Sequence, residues 1–249
     1  MTPDHNDGLE IESVGFAYPR SPRLFTIDSL AISSGEVHAL TGPSGVGKST
    51  LLSIIAGLLM PACGTVRLRG QTLVGDGSWL PPERRRIGFV FQDCQLFPHL
   101  SAERNVAFGI RGFPKRQRRE AAVRLLESLG VAHRADARPH ELSGGERHRV
   151  AVARALGIQP HAMLLDEPFR SLDDRTAAAT RDAVIGVLRA SRVPTLMVTH
   201  DCREAQYACD SCWSLAFPVD DDRSRGAVLQ PRTFDTPETA LTLEGELAK

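Results

Sequence analysis

Alternating apolar and polar residues predict β-strands in the first third of the chain. Strands are expected at residues 9–16, 26–32, 36–41, 64–69 and 87–91. The third of them runs into a glycine-rich turn. From Lys48 to about Leu59 the apolar positions recur at helical spacing, and Pro61 lies beyond the end of this predicted helix. A strand, a glycine turn and a helix therefore follow one another directly.

The pattern changes in the middle of the chain. Residues from about 101 to 158 have a helical pattern, with basic, Ala- and Leu-rich segments at 114–129 and 143–157. After this block the predicted elements are a strand at 162–166, a helix at 175–190, a strand at 195–199 and a helix at 201–210. Such alternation is typical of a parallel sheet with crossover helices. We predict an α/β core with an inserted helical block, followed by strand-like pieces around Asp220–Asp222 and a polar tail with one last helix.

Composition excludes several classes of protein. Thirty Lys and Arg residues balance thirty Asp and Glu residues among 249, so the formal net charge is zero. A neutral chain has no overall field that attracts nucleic acid or an anionic membrane, so membrane contact is expected only through a protein partner. The longest apolar stretches fall far short of the roughly 18–20 residues of a spanning helix. The N-terminus lacks the features of a secretory signal. We expect a protein at the cytoplasmic side of the cell.

The five cysteines do not have the spacing of a disulfide framework, which suits a reducing compartment. Cys202, Cys209 and Cys212 lie near His200 in sequence, and a zinc site is one alternative. The other is that they are small buried residues, because Cys202 and Cys209 share one face of a predicted helix. The pattern favours the second.

Residues 42–50 carry the clearest chemical signal. They read Gly42, Pro43, Ser44, Gly45, Val46, Gly47, Lys48, Ser49 and Thr50, and match the pattern G-x-x-x-x-G-K-[ST] between a strand and a helix. The glycines allow consecutive N–H groups to point at phosphate oxygens, and the helix amino end reinforces this. Lys48 can reach the β- and γ-phosphates, and the Ser49 hydroxyl can bind Mg²⁺. The segment predicts a nucleoside-triphosphate site.

Two carboxylates follow the predicted strand 162–166. Asp166 ends the strand at the edge where α/β sheets bind ligands, and its carboxylate can hold Mg²⁺. Glu167 comes next and is the candidate general base for an attacking water. The alternative for an isolated Asp-Glu pair is a helix-capping cluster, which the preceding strand and the phosphate loop disfavour.

Residues 142–146 read Leu-Ser-Gly-Gly-Glu at the start of the predicted helix 143–157. Ser143 and Glu146 fit a capping box, which explains the pair structurally. Two adjacent glycines each cost about 1 kcal/mol of helix propensity, however, so another group is expected close to this backbone. With a phosphate loop already present, we expect that group to be a phosphate.

These motifs together resemble the nucleotide-binding subunits of ABC transporters over about residues 9–215. The resemblance implies an α/β P-loop NTPase core with an N-terminal antiparallel β subdomain and a helical subdomain at about 100–158. Residues 216–249 would be a short strand and helix extension without a regulatory domain. It also implies that Ser143, Gly144 and Gly145 contact ATP held by the Lys48 loop of a second subunit. The active unit would then be a homodimer or pseudo-dimer with ATP and Mg²⁺ between its halves.

Further residues match individual positions of the family. The resemblance implies that Tyr18 stacks on adenine, although a buried strand-end tyrosine is the alternative. Gln92 would sense Mg²⁺ and the γ-phosphate, His200 would contact the γ-phosphate, and residues 171–173 (Ser-Leu-Asp) would cross the dimer interface. The expected catalytic set consists of Lys48, Gln92, Glu167 and His200.

Three positions depart from the family pattern. Glu146 and His148 occupy places where glutamine is frequent, and Arg170 is bulky where a small residue is common. None removes a catalytic group. We therefore expect an active ATPase, with Arg170 slightly altering the dimer interface.

The resemblance also bears on partners. Segments 96–100 and 105–108 would form part of the groove for integral membrane permease subunits, with helical-domain core as the alternative. Residues 80–92 are similar to those of importers for inorganic ions, polyamines and thiamine, and the short remainder after residue 215 fits smaller importers. Arg84–Arg86 is interpreted as a solvated face rather than a nucleic-acid contact. We expect an importer ATPase at the cytoplasmic face of the membrane, working with a solute-binding protein. The alternatives are an exporter or lipid-extraction ATPase and a soluble non-transport ABC ATPase.

Overall fold

The computed structural model describes residues 7–170, 172–218 and 226–233. The strands are β1 (Leu9–Ala17), β2 (Arg23–Ile32), β3 (Val37–Thr41), β4 (Cys63–Leu68), β5 (Gln71–Gly75), β6 (Ser78–Trp79), β7 (Ile87–Val90), β8 (Ala162–Asp166), β9 (Thr195–Val198), β10 (Ser211–Ala216) and β11 (Ala227–Arg232). The α-helices are α1 (Lys48–Ala56), α2 (Ala102–Gly109), α3 (Lys115–Ser128), α4 (Gly144–Gly157), α5 (Asp174–Ser191) and α6 (Cys202–Ala208). Short 3₁₀ turns lie at Pro82–Arg84, Ala132–Arg134 and Pro139–Glu141.

The strands of the described residues form one sheet in the order β6-β5-β4-β1-β2-β11-β10-β3-β9-β8-β7. Strands β10, β3, β9, β8 and β7 run parallel to one another, and β3, β8 and β9 are largely apolar and almost entirely buried. Burial on both faces is expected for the centre of a parallel sheet. This half is the α/β core that the sequence predicts.

The other half of the sheet is antiparallel. Strands β2, β1, β4, β5 and β6 each pair antiparallel with the next. Strand β11 joins the halves, because it pairs antiparallel with β10 and parallel with β2. Residues 227–232, in the predicted extension, therefore belong to this sheet. The domain boundaries at 215 and 216 stay a prediction, and the pieces expected around Asp220–Asp222 and in the tail lie outside the described residues.

Helices α2, α3 and α4 lie within the segment expected to be helical. Their apolar faces share one buried cluster with α5, α6 and the parallel strands. Helix α1 belongs to a second cluster, on the opposite side of the sheet, with the antiparallel strands. No helix of the described ranges combines the length and the apolar character needed to cross a membrane.

The cysteines near His200 divide between core and surface. Cys209 and Cys212 are buried, but Cys202 is exposed, so the interpretation of all three as buried residues is wrong for Cys202. The two cysteines lie at opposite ends of α6: Cys202 is its first residue, and Cys209 directly follows its last residue, Ala208. Among the residues that the structure describes, no group of three His, Cys, Asp or Glu side chains is arranged to hold a metal ion.

The expectation that Arg84–Arg86 forms a solvated face is wrong for Arg85. Its guanidinium is buried, and Nη1 donates to the carbonyl oxygens of Ile54 and Ile55 at 2.8 Å each. Nε donates to a loop carbonyl at 2.7 Å. The cation thus satisfies carbonyl groups at the carboxyl end of α1 and complements its dipole. Burial lowers the pKa of Arg85 to about 10.

This contact also explains where α1 ends. Gly57 caps the helix with φ 85°, a left-handed conformation that favours glycine. A Cβ at Gly57 would lie 2.5 Å from Nε of Arg85. The helix therefore ends at Ala56, three residues before the predicted end at Leu59. The Arg85 guanidinium occupies space that a further helical turn would need.

Arg85→Ala is expected to reduce the free energy of unfolding by about 2 kcal/mol, because buried carbonyl oxygens lose their donor. Chemical denaturation measures the change. Arg84→Ala is the matched control, since Arg84 is exposed and surface substitutions usually change stability by less than about 0.5 kcal/mol. Equal stability of the two variants would contradict the capping role of Arg85.

Candidate functional site

The loop between β3 and α1 has the shape of an anion cradle. Gly42, Gly45 and Gly47 have φ values of 142°, 80° and 110°, which other residues rarely adopt. A Cβ at Gly42 would lie 2.2 Å from a backbone oxygen of β10, so the close approach of the chain requires glycine there. No side chain caps the amino end of α1. Its first N–H groups are therefore open to an anionic ligand.

Lys48 lies over this loop. Its Nζ donates to the carbonyl oxygens of Gly42 at 2.8 Å and Pro43 at 2.9 Å, and the residue is only 7% exposed. Burial lowers the pKa of Lys48, while the nearby negative charges of Glu167 and Asp166 oppose the shift. The ammonium group is thus held at the mouth of the cradle by carbonyl oxygens that a phosphate can replace.

Ser49 and Asp166 form an oxygen-rich pair beside the cradle. Burial raises the pKa of Asp166, and a hydrogen bond with the Ser49 side chain opposes that shift. Asp166 ends β8, and Ser49 is in the first turn of α1, so two separate elements bring the oxygens together. Hydroxyl and carboxylate oxygens are the ligand types that Mg²⁺ prefers. The pair fits a magnesium ion.

A cavity of about 510 Å³ lies next to this pair. Its lining includes Gln92, which follows β7, together with Asp166, Gly144, His148 and Arg170. Gln92 is exposed, so its amide is free to reach a ligand. The cavity brings residues from the ends of β7 and β8 to the amino end of α4.

Glu167 and His200 meet because β8 and β9 are neighbouring parallel strands. His200 Nδ1 lies 3.8 Å from Glu167 Oε2. The backbone of Glu167 has φ 46°, uncommon for a residue with a Cβ, and its N–H donates to the carbonyl of Val198 at 3.0 Å. The backbone of Glu167 is thus fixed to β9, and its carboxylate reaches the edge of the sheet that carries the cradle.

The amino end of α4 is a capping box. Ser143 N donates to Glu146 Oε2 at 2.7 Å, and Glu146 N donates to Ser143 Oγ at 3.3 Å. Among the described residues, no hydrogen bond or ion pair joins Ser143, Gly144 or Gly145 to the loop 42–49. The two segments expected to bind the nucleotide, 143–145 and 42–49, are therefore not bonded to each other within one chain.

The glycine pair at this helix end has an explanation inside the chain. A Cβ at Gly144 would lie 2.7 Å from the Leu172 side chain, and one at Gly145 would lie 2.7 Å from Thr180 Oγ1 and 2.8 Å from Thr176 Cγ2. Side chains of α5 and of the turn before it thus lie close to this backbone, so the glycine pair does not by itself require a phosphate. The contact of Ser143, Gly144 and Gly145 with ATP stays a prediction.

Tyr18 lies beside the cradle. Its hydroxyl is 3.1 Å from Thr50 Oγ1, and its ring packs edge-on against Phe16 with centroids 4.9 Å apart. Tyr18 is 46% exposed, so the alternative of a buried tyrosine is wrong. An open ring face next to α1 is compatible with adenine stacking, which stays a prediction.

The segment predicted to cross the interface is described in part. Ser171 lies outside the described residues. Leu172 lies against Gly144, as above, and Asp173 caps α5 by accepting from the Thr176 N–H at 3.1 Å. The predicted interfacial role of residues 171–173 is not tested by these contacts.

The segments expected to receive a membrane subunit divide between core and surface. Asn105 and Val106 are fully buried, and the Asn105 amide binds the backbone of Phe97. Phe108 is 63% exposed and packs against Phe97 with ring centroids 4.7 Å apart. It lines a groove of about 1060 Å³ with Leu100 and mostly basic side chains. The helical-core alternative thus holds for Asn105 and Val106, whereas Phe108 is available to a partner.

Two contacts in the site were not predicted. Arg170 Nη1 donates to Glu167 Oε2 at 2.6 Å. His148 is buried with Nδ1 3.0 Å from the Gly144 carbonyl oxygen, and burial lowers the pKa of His148 against the opposing effect of the Gly144 and Gln92 backbones. The sequence marked both residues only as departures from a pattern, and nothing local in it indicates which groups they contact.

Comparison with known proteins gives a consistent result. The family model described as ABC transporter matches residues 25–170. The chain is 46% identical to the Fe(3+) ions import ATP-binding protein FbpC of Serratia marcescens over 198 residues, which are 79% of this chain and 57% of that protein. It is 49% identical to the molybdate/tungstate import ATP-binding protein WtpC of Archaeoglobus fulgidus over 171 residues, 69% of this chain and 70% of that protein. The chain spans little more than half the length of the Fe(3+) relative.

A solved structure extends the likeness to three dimensions. It is the dimeric structure of a post-hydrolysis state of the ATP-binding cassette MJ0796 bound to ADP and Pi, with a TM-score of 0.72 and 29% sequence identity. The match covers 91% of this chain and all of that one. It confirms the predicted α/β P-loop ATPase fold. The chain belongs to the ABC transporter family.

Proposed function

We propose that this chain is the ATP-hydrolysing subunit of a membrane importer and works as one half of a two-subunit ATP sandwich. The observation that carries the proposal is the meeting of four groups at one edge of the sheet. Lys48 lies over the open cradle, Ser49 and Asp166 are paired beside it, and Glu167 follows Asp166 directly. An anion cradle, an oxygen pair for a cation and a carboxylate for water are the parts that phosphoryl transfer requires.

The substrate is ATP, and the described groups divide the tasks of binding it. The N–H groups of residues 42–49 and the Lys48 ammonium bind the phosphates, and Tyr18 stacks on the adenine ring. Ser49, Asp166 and Gln92 are the groups that would hold Mg²⁺, which when bound neutralises charge on the β- and γ-phosphates.

Hydrolysis depends on a water aligned with the γ-phosphate. Glu167 orients this water and accepts its proton, since its carboxylate lies at the edge that carries the cradle. Lys48 and His200 stabilise the charge that develops on the γ-phosphoryl oxygens. Positioning and charge stabilisation account for most of the catalysis in such reactions.

A second subunit completes the site. The amino end of α4, with Ser143, Gly144 and Gly145, is not joined to the loop 42–49 of its own chain, and it offers N–H groups and a positive helix end to an anion. We propose that it grips the ATP bound by the partner subunit, so that ATP holds two chains together and hydrolysis releases them. The dimeric structure named for the MJ0796 cassette supports the pairing of two subunits.

The membrane partners are integral permease subunits, with this chain attached peripherally at the cytoplasmic face. Exposed Phe108 in a groove of basic side chains offers an apolar contact to a helix of such a subunit. Two relatives are named as import ATP-binding proteins, which favours import over export and favours a solute-binding protein as the third component. The balanced charge of the chain gives no support for a nucleic-acid partner.

Copurification of the full chain from its own cells, with the partners identified by mass spectrometry, tests the transport assignment. A polytopic membrane protein and a solute-binding protein support import, a membrane protein alone supports export, and ribosomes or RNA would overturn a transport role. Phe108→Asp is the matched variant. It is expected to lose the membrane partner and to keep ATP binding, because Phe108 is exposed and distant in sequence from the cradle.

A further inference from the structure

The ion pair between Arg170 and Glu167 is a contact in the site that the proposed mechanism does not use. Arg170 Nη1 lies 2.6 Å from Glu167 Oε2, a short charge-assisted hydrogen bond. The Glu167 side chain is 14% exposed and that of Arg170 is 50% exposed. The carboxylate is therefore largely enclosed, while half of the Arg170 side chain that holds it is in solvent.

The backbone of Glu167 is held by hydrogen bonds, so only its side chain can change direction. Its N–H is bonded to Val198 on β9, and its carbonyl accepts from the Arg170 N–H at 3.2 Å. The residue is thus held at both ends of its peptide unit in an uncommon conformation, φ 46°. Any adjustment of the carboxylate must come from its side-chain torsions, and Arg170 is bonded to the group that those torsions move.

Arg170 also lies where ligand and partner would enter. Its side chain lines the cavity of about 510 Å³ with Gln92, Asp166 and Gly144. It directly precedes the segment 171–173. Groups that come into this cavity therefore meet the guanidinium, whose geometry suits phosphate oxygens as well as carboxylates.

We propose that Arg170 is a positioning residue that restrains Glu167: it occupies the carboxylate oxygen Oε2 until the site closes, and its release limits ATP turnover. This inference rests on the proposed role of Glu167 as base. While Oε2 is bonded to the guanidinium, that oxygen is not available to orient water. On closure the guanidinium leaves Oε2, and the carboxylate turns to the water.

The test is ATP turnover of the full chain at saturating ATP and magnesium, with three substitutions of Arg170. Arg170→Ser and Arg170→Gln both remove the charge, and Gln keeps much of the side-chain length. Both are expected to raise kcat about two- to fivefold, the factor that corresponds to a partly exposed ion pair. The KM for ATP should not change, since Arg170 is outside the cradle. Arg170→Lys keeps a cation and is expected to turn over close to the wild-type rate.

Several results would overturn the inference. The first is an unchanged or lower kcat in both charge-removing variants. The second is a higher kcat in Arg170→Ser but not in Arg170→Gln, which would indicate that side-chain bulk rather than charge matters. The third is a kcat in Arg170→Lys that rises as much as in the charge-removing variants. Because Arg170 is half exposed, the variants are expected to fold, and three substitutions guard against the loss of one.

The Glu167→Gln background separates this inference from the proposed function. There is no carboxylate for Arg170 to hold in that background, so adding Arg170→Ser should leave the residual rate unchanged. A gain that persists there would mean that Arg170 acts through another group, and the restraint would be refuted while the base role stood. Wild-type turnover by Glu167→Gln alone would instead refute the base role.

Discussion

Glu167→Gln is expected to slow ATP hydrolysis by about 10²- to 10⁴-fold, the range that a general base contributes. The amide cannot accept the proton of the attacking water, although it keeps the size of the side chain. ATP affinity should be retained, because the phosphates are held by the loop 42–49 and Lys48 rather than by Glu167. Single-turnover hydrolysis and equilibrium nucleotide binding, measured on the same protein, separate the two effects.

Glu127→Gln is the matched control, since it makes the same chemical change far from the site in sequence. Glu127 is exposed on α3. It should hydrolyse ATP like the wild type. Turnover by Glu167→Gln within a few-fold of this control would remove Glu167 from the role of base.

Lys48→Ala is expected to weaken ATP binding about 10- to 100-fold, because a charged hydrogen-bond donor to the phosphates contributes roughly 1.5–3 kcal/mol. The ammonium now bonded to the carbonyls of Gly42 and Pro43 is the group that would transfer to the β- and γ-phosphates. ADP should lose less affinity than ATP, since it has no γ-phosphate. Calorimetry with both nucleotides measures the difference.

Lys115→Ala provides the comparison for this loss, as Lys115 is exposed at the start of α3. Its affinity for ATP should equal that of the wild type. If Lys48→Ala bound ATP as tightly as Lys115→Ala does, the loop 42–49 would not be the phosphate cradle.

Short-range patterns predicted where the strands that carry the candidate site end. The strands β3, β8 and β9 are short apolar runs, and their ends fix where Gly42, Asp166 and His200 lie. Since parallel neighbours end at the same edge of the sheet, the sequence could place these residues together before any coordinates were known. The glycine-rich turn followed by Lys48 is likewise a local signal, because the strand, the turn and the helix are consecutive.

Contacts between distant or irregular segments could not be predicted in this way. Arg85 is one of three successive arginines, and only the position of α1 decides that it is buried while its neighbours are exposed. Gly145 has no close neighbour in sequence that requires it, and the reason for it lies in Thr180 on α5. Arg170 reaches Glu167 because the chain turns back between them. This turn begins with the positive φ of Glu167, which no sequence pattern indicates.

In the proposed function, two copies of the chain bind ATP between them. This is tested most directly by measuring the mass of Glu167→Gln in solution, by light scattering, with ATP and magnesium and again with ADP. We expect twice the mass of one chain with ATP and the mass of a single chain with ADP. A single-chain mass in saturating ATP, under conditions where bound nucleotide is detected on the protein, would contradict it.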